Sequence, residues 1–228
     1  LGGAARVLHI MFVHGAAATP TPLLEALVRT EQLRDVELYH LHTQGPAPFV
    51  EPAHRDRFLS VSLFAGAPVR RAIEEGAADF IPVFLSDIPS LFLTGRIPLD
   101  VALLQLSPPD APGFCSLGTS VDAALAASLS ARHIVAEINE RMPRTLGNTL
   151  VPFSRIHTCF HTNRPLHEHI SVPPTDVEDA IGAQVAALVA SSPQPAARAT
   201  STATSAAAAI GHRRRRPACS GLIMDEAA

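Results

Sequence analysis

Short apolar runs alternate with helix-competent stretches along the first 190 residues, and this alternation restricts the chain more than any other feature. Val7 to Val13 is mostly apolar and rich in Val and Ile, as expected of a strand buried on both faces of a parallel sheet. It runs into His14-Gly15-Ala16-Ala17-Ala18-Thr19-Pro20. The next residues, Thr21-Pro22-Leu23-Leu24-Glu25, are predicted to open a helix with Thr21 as N-cap, Pro22 first and Glu25 in the positive first turn. Further strands are expected at 36–41, 59–64, 101–106 and 133–138, with another short apolar run at 81–85. Helices are expected at 68–75, closed by Gly76, and at 122–129. In the first of these, Arg70 with Glu74 and Arg71 with Glu75 are spaced for exposed i,i+4 pairs. The clearest helix covers 175–189, where Thr175 and Glu178 make a capping box and Val177, Ile181, Val185 and Leu188 share a face. Such alternation predicts a layered α/β fold with a mainly parallel sheet flanked by helices.

Composition sets the limits of that fold. The chain has 228 residues, 47% hydrophobic and 17% charged, enough for one sizeable α/β domain. Residues 191–209 hold no large apolar side chain and cannot offset the entropy of ordering. Two segments are therefore expected: a folded domain over 1–190 and a low-complexity, disordered tail over 191–228. The net charge of −3 divides into an acidic body and a basic tail carrying Arg213 to Arg216. No aromatic residue interleaves those arginines, so no nucleic-acid partner is expected. No apolar run approaches the roughly 18 residues of a membrane span, and no secretory signal is read at the start. Three cysteines, Cys115, Cys159 and Cys219, are too few for a disulfide framework and fit a reducing compartment.

Local motifs exclude several chemistries. Histidines recur at His40 and His42, whose i,i+2 spacing at a strand end would put both rings on one face. They recur again at His157, His161, His167 and His169. No Cys-x-x-Cys or His-Glu-x-x-His accompanies them, so they are read as surface or hydrogen-bonded residues and no metal is assigned. There is no Gly-x-Ser-x-Gly elbow, no dinucleotide Gly-x-Gly-x-x-Gly after the first strand and no Walker loop. Cys115 is read as a small buried hydrophobe rather than a reactive thiol. Three strand-end loops of small residues remain: 15–20, 42–48 and 107–113. In a parallel sheet such loops lie where ligands bind, and the first adjoins a helix N-terminus. They are equally consistent with tight connections shaped by Gly and Pro.

The loops and their order resemble the acetyl-CoA hydrolase/transferase family, particularly its 4-hydroxybutyrate CoA-transferase branch. The matching blocks are Phe12 to Pro20, Leu41 to Pro46, Asp79 to Pro89, Gln105 to Asp110 with Gly113 to Ser120, and Met142 to Thr145. Pro173-Pro174 and the following helix look like the entry to the family's second domain. The resemblance covers about residues 6 to 189. It implies a CoA-transferase-like fold, this chain being the first of two α/β halves with the site between them. The implied activity moves coenzyme A, a substrate rather than a bound cofactor, from an acyl-CoA to a small carboxylate. The implied chemistry is attack by a glutamate on the thioester carbonyl, ending as a glutamyl-CoA thioester.

The same resemblance implies that Gly15, Ala16, Thr19, Thr43, Gln44, Gly45, Ser116 and Gly118 wall the pocket and supply backbone N–H groups. The family's CoA loop and its nucleophilic glutamate have no counterpart after residue 190, so no catalytic residue is assigned. Asp87 and Asp110 are read as turn residues. The partners expected are acyl-CoA, small carboxylates and a missing C-terminal catalytic domain, with a homodimer as one assembly. The compartment expected is the cytoplasm or the mitochondrial matrix. A non-catalytic acyl-CoA or small-molecule binding module of the same descent is the alternative.

Overall fold

A computed structural model describes residues 9–169 and 172–191. Residues up to Glu168 belong to one compact unit, and the segment from His169 belongs to a second. In the first unit the strands are β1 (His9–Val13), β2 (Val36–His40), β3 (Phe58–Ser62), β4 (Asp79–Phe80), β5 (Val101–Leu106), β6 (Phe114–Ser116), β7 (His133–Asn139), β8 (Leu150–Pro152) and β9 (Thr158–Thr162). The helices are α1 (Thr21–Arg29), α2 (Ala67–Glu74), α3 (Ile88–Leu93) and α4 (Ala124–Ser130). Seven strands form one sheet in the order β4-β3-β2-β1-β5-β7-β9, and every pairing is parallel. Strands β6 and β8 pair antiparallel as a separate ribbon.

Side-chain alternation sorts the core onto the two faces of this sheet. Phe12 of β1 and Ala102, Leu104 and Leu106 of β5 pack with Ile88 and Phe92 of α3 and with the alanines of α4. Met11 and Val13 of β1 and Leu103 of β5 pack on the other face with Leu24 and Leu27 of α1 and Val69 of α2. Both faces are covered, so the sheet is the middle layer of an α/β/α sandwich, the mainly parallel α/β fold expected. The run Val101–Leu106 is a strand over those same residues. Among the described residues, no helix is long and apolar enough to cross a membrane.

Several local expectations are corrected. Thr21 does not cap α1; Pro20 is the N-cap, Thr21 is helical, and no acidic residue lies in the first turn. The Pro at the second helical position still fits, because its missing N–H falls where no intrahelical partner exists. Of the apolar run 81–85, none is in a strand: β4 stops at Phe80, and Pro82 has no N–H for a ladder. Phe84 and Leu85 are left exposed. Helix α4 begins at Ala124 rather than 122, with Asp122 outside it accepting from the Ala124 N–H at 3.2 Å. Arg71 pairs with Glu75 at 2.7 Å, while Arg70 instead donates to the Ala65 carbonyl.

In the second unit, α5 (Asp176–Ser191) carries the expected capping box. Glu178 accepts from the Thr175 N–H at 2.7 Å and hydroxyl at 2.8 Å, and its own N–H donates to Thr175 Oγ1. Those bonds hold the Glu178 carboxyl below its ordinary value. The face formed by Val177, Ile181, Val185 and Leu188 is exposed. The tail expectation, from residue 192 onward, lies outside the described residues.

Candidate functional site

The sheet reverses its winding between β1 and β5. From β1 the chain builds outward through β2, β3 and β4, then returns to lay β5, β7 and β9 on the other side. Loops leave the carboxyl ends of β1 and β5 at this switch point, and in open parallel sheets the crevice outside such a point is the favoured ligand position.

The β1 and β2 loops meet at one corner of that crevice. The Ala16 N–H donates to the His42 carbonyl at 3.0 Å, forming a parallel bridge between Ala16 and Thr43. The Gln44 N–H donates to Thr19 Oγ1 at 3.0 Å, and that hydroxyl donates to the Ala16 carbonyl at 2.8 Å. Ala16 is held at φ +50°, an unfavourable region for a residue with a Cβ. Gly15 is needed because a Cβ would sit 2.8 Å from the Leu41 carbonyl oxygen. Gly45 has φ +76°, and a Cβ there would lie 2.8 Å from Nε2 of His167, whose ring rests on it. That ring bonds the Thr21 hydroxyl at 2.7 Å. Burial, helped by the Arg164 charge, holds the His167 pKa below its ordinary value.

Two adjacent residues at this corner carry buried polar atoms without a partner, Thr43 Oγ1 and Gln44 Oε1. A desolvated, unpaired polar atom costs about 1–3 kcal/mol, so such a pair leaves a place for a water or a ligand group. The N-terminus of α1 offers no comparable donors. Thr21 N–H binds the Thr19 carbonyl, Pro22 has no N–H, and Leu23 and Leu24 both donate to the Pro20 carbonyl.

Beneath the corner, a polar layer ties three strands, β5, β7 and β9, to the β1 loop. Gln105 Nε2 donates to the Thr19 carbonyl at 3.2 Å, and its Oε1 accepts from Asn139 Nδ2 at 2.9 Å. Asn139 Nδ2 also donates to the Arg164 carbonyl at 3.0 Å. Arg164 forks onto the fully buried Glu137 at 2.6 and 3.0 Å and reaches the Thr19 carbonyl at 2.9 Å. Thr162 Oγ1 adds a third donor to Glu137 at 2.8 Å. Nearby, His14 is fully buried. The Gln105 N–H points at its Nδ1, so that nitrogen accepts, and Nε2–H donates to the Ser120 carbonyl at 2.6 Å. This geometry fixes the neutral tautomer, and burial lowers the pKa.

Of the residues expected to wall a pocket, Gly15, Ala16 and Thr19 are thus brought together with Thr43, Gln44 and Gly45. Ser116 and Gly118 belong to a different cluster. The Ser116 hydroxyl accepts from the Gly118 and Thr145 N–H groups, each at 3.1 Å, and bonds Thr145 Oγ1 at 2.8 Å. The Ser116 N–H is taken by Ser107 Oγ at 2.9 Å, and Gly118 lies against Met142 and Pro143. Ser107, just past the end of β5, connects this cluster to the crevice edge.

The remaining candidates have plainer roles. His40 and His42 do not share a face, because β2 ends at His40 and the alternation stops. His40 packs on Phe49 and bonds Ser60 at 2.8 Å, and burial pushes its pKa down to about 4. His42 instead approaches Asp122 at 3.8 Å and stacks edge-on against Phe64. His157 accepts from the Ile134 N–H. Among the described residues, no three His, Cys, Asp or Glu side chains converge as a metal site. Cys115 is buried, which drives its thiol up to about 12 and leaves no nucleophilic thiolate near neutral pH. Asp110 accepts from the Phe114 N–H at 2.7 Å and pairs with Arg144, while Asp87 accepts from Ser86.

Sequence reasoning gave no site role to Gln105, Glu137, Asn139, Arg164 or His167, the last read as one of the surface or hydrogen-bonded histidines, and it is hydrogen-bonded. The first three had a signal, being polar residues inside otherwise apolar strand runs, where a buried polar side chain must find partners. Arg164 and His167 had none beyond a loop rich in histidine.

With this geometry in place, comparison with known proteins is specific. Residues 6–170 match the model of the acetyl-CoA hydrolase/transferase N-terminal domain. A succinyl-CoA:acetate/propanoyl-CoA:succinate CoA transferase of Fasciola hepatica is 45% identical over 179 residues, which is 77% of this chain and 37% of that protein. A 4-hydroxybutyrate coenzyme A transferase of Clostridium kluyveri is 37% identical over 181 residues, 79% of this chain and 42% of that protein. Among solved structures, RipA from Yersinia pestis aligns with TM-score 0.73 at 26% identity, over 81% of this chain and 46% of its own. A 4-hydroxybutyrate CoA-transferase from Porphyromonas gingivalis aligns with TM-score 0.65 at 29% identity, over 79% of this chain and 41% of its own. The chain spans less than half the length of each of these relatives.

Proposed function

The chain belongs to the acetyl-CoA hydrolase/transferase family, and on that premise we propose that it forms the N-terminal half of an acyl-CoA:carboxylate CoA-transferase. Its β1 and β2 loops wall the side of the crevice that receives the acyl group and the free acid. The observation that carries this reading is the orphaned pair, Thr43 Oγ1 and Gln44 Oε1, at the corner where those loops are locked together. Both side chains are uncharged. Thr43 Oγ1 can donate to a carboxylate oxygen, and Gln44 Oε1, an acceptor, can take an N–H of the CoA arm. With no cation in the pair, the acid is spared a tight ion pair that would stabilise its ground state and slow attack.

The nucleophile in this proposal comes from outside residues 1–228. Glu137 is fully buried but is tied to Arg164 and Thr162, and Asp110 is tied to Arg144 and a turn. Neither is free to approach a thioester within the ~3–3.5 Å of a reactive geometry.

Amide chemical shifts followed during titration with butyrate and with acetyl-CoA test the pocket. Shifts are expected at residues 15–19 and 43–45, and are expected to weaken in Gln44→Ala and Gly45→Val. Shifts confined to the groove lined by Leu93, Leu129 and Arg132, between the ends of α3 and α4, would place the ligand elsewhere and sink the assignment.

A further inference from the structure

We propose that residues 164–167 form a strap over the Gln44–Gly45 corner, anchored at Arg164 and latched by the His167 ring on the Thr21 hydroxyl. The anchor is strong. The Arg164 guanidinium holds Glu137 and the Thr19 carbonyl, and its own carbonyl accepts from Asn139. The latch, three residues on, is one hydrogen bond of 2.7 Å. Pro165 follows the anchor and restricts the path between them.

The His167 ring lies so close to Gly45 that any Cβ there would collide with it. The next two residues back along the chain carry the orphaned Thr43 and Gln44 oxygens. In the latched arrangement both atoms are buried without a partner, a cost that counts against it. The latch bond and the packing of the ring favour it. The latched state is the major one, and in this proposal its opening to a minor state gates the corner. As a moving part it stands apart from the transferase reading. Its role as a gate to substrate rests on that reading.

Two measurements test it on the intact chain. Thr21→Val removes the latch and keeps the shape, and is expected to raise hydrogen exchange at the Gln44 amide about tenfold with a correspondingly small fall in the unfolding midpoint. An unchanged rate overturns the latch. The second is a cycle of Gly45→Ala in the native and His167→Ala backgrounds, read by urea unfolding. The strain of φ +76° is common to both, so the difference isolates the ring contact. A smaller midpoint shift in the His167→Ala background supports the strap, and equal shifts refute it. If butyrate fails to perturb residues 43–45 while Thr21→Val still accelerates exchange, the substrate reading fails and the strap survives.

Discussion

Arg164 and Glu137 form a forked ion pair in which the carboxylate is wholly buried, and the same guanidinium reaches back across the sheet to the Thr19 carbonyl. Through it the far edge of the sheet is tied to the β1 loop. Such a pair is fragile when half of it is removed, because the survivor is a buried charge without compensation. Glu137→Gln and Arg164→Met are each expected to lose about 3–5 kcal/mol in urea unfolding. Replacing both by Met is expected to lose clearly less than the sum. Additive losses would show that the pair carries no coupling.

Acid should weaken the fold earlier than its carboxylates alone would require. His40 keeps its neutral form down to about pH 4 in the folded chain, against an ordinary 6.5, and burial moves His14 and His167 the same way. The unfolded chain therefore binds protons that the folded chain refuses, so stability is complete above about pH 6.5 and falls as pH drops towards 4. His40 alone accounts for about 3 kcal/mol across that window. Urea midpoints measured between those limits check this, and His40→Phe should flatten the profile. A flat native profile would contradict the burial assigned to these rings.

Ser116 serves as a hub rather than a surface contact. Removing its hydroxyl leaves the Gly118 and Thr145 N–H groups without their acceptor. Ser116→Ala is expected to lose about 1–3 kcal/mol, with amide shift changes concentrated at 116–118 and 145–149. Full stability in this variant would return Ser116 to the list of residues free to meet a ligand.

Cys115 is expected to resist iodoacetamide in the native state and to react once the chain is unfolded, because burial holds its thiol protonated up to about pH 12. Labelling at neutral pH without unfolding would reopen it as a nucleophile.

The sheet was legible in the sequence because strands buried on both faces, such as Val101–Leu106, are nearly continuous apolar runs, although the run 81–85 has the same look and leaves Phe84 and Leu85 exposed. The capping box of α5 was legible for a related reason: its bonds are local to Thr175 and Glu178. Local signals also misled. Thr21 has the chemistry of an N-cap, yet the chain turns one residue earlier and its hydroxyl is used by His167, 146 positions away. The corner of the site could be read only as a set of small residues, through resemblance. What makes it a site, the bridge between Ala16 and Thr43 and the layer joining Thr19, Gln105, Asn139 and Arg164, consists of contacts between distant segments. Spacing along a chain carries no record of those.

The central claim is that this chain supplies walls of a CoA-transferase site while the attacking carboxylate comes from elsewhere. Incubating the 228-residue chain with acetyl-CoA, trapping with hydroxylamine or borohydride and mapping the products by mass spectrometry tests it most directly. The account predicts no modified Asp or Glu and no acetate-dependent exchange of CoA. A trapped carboxylate within residues 1–228, accompanied by that exchange, would contradict it.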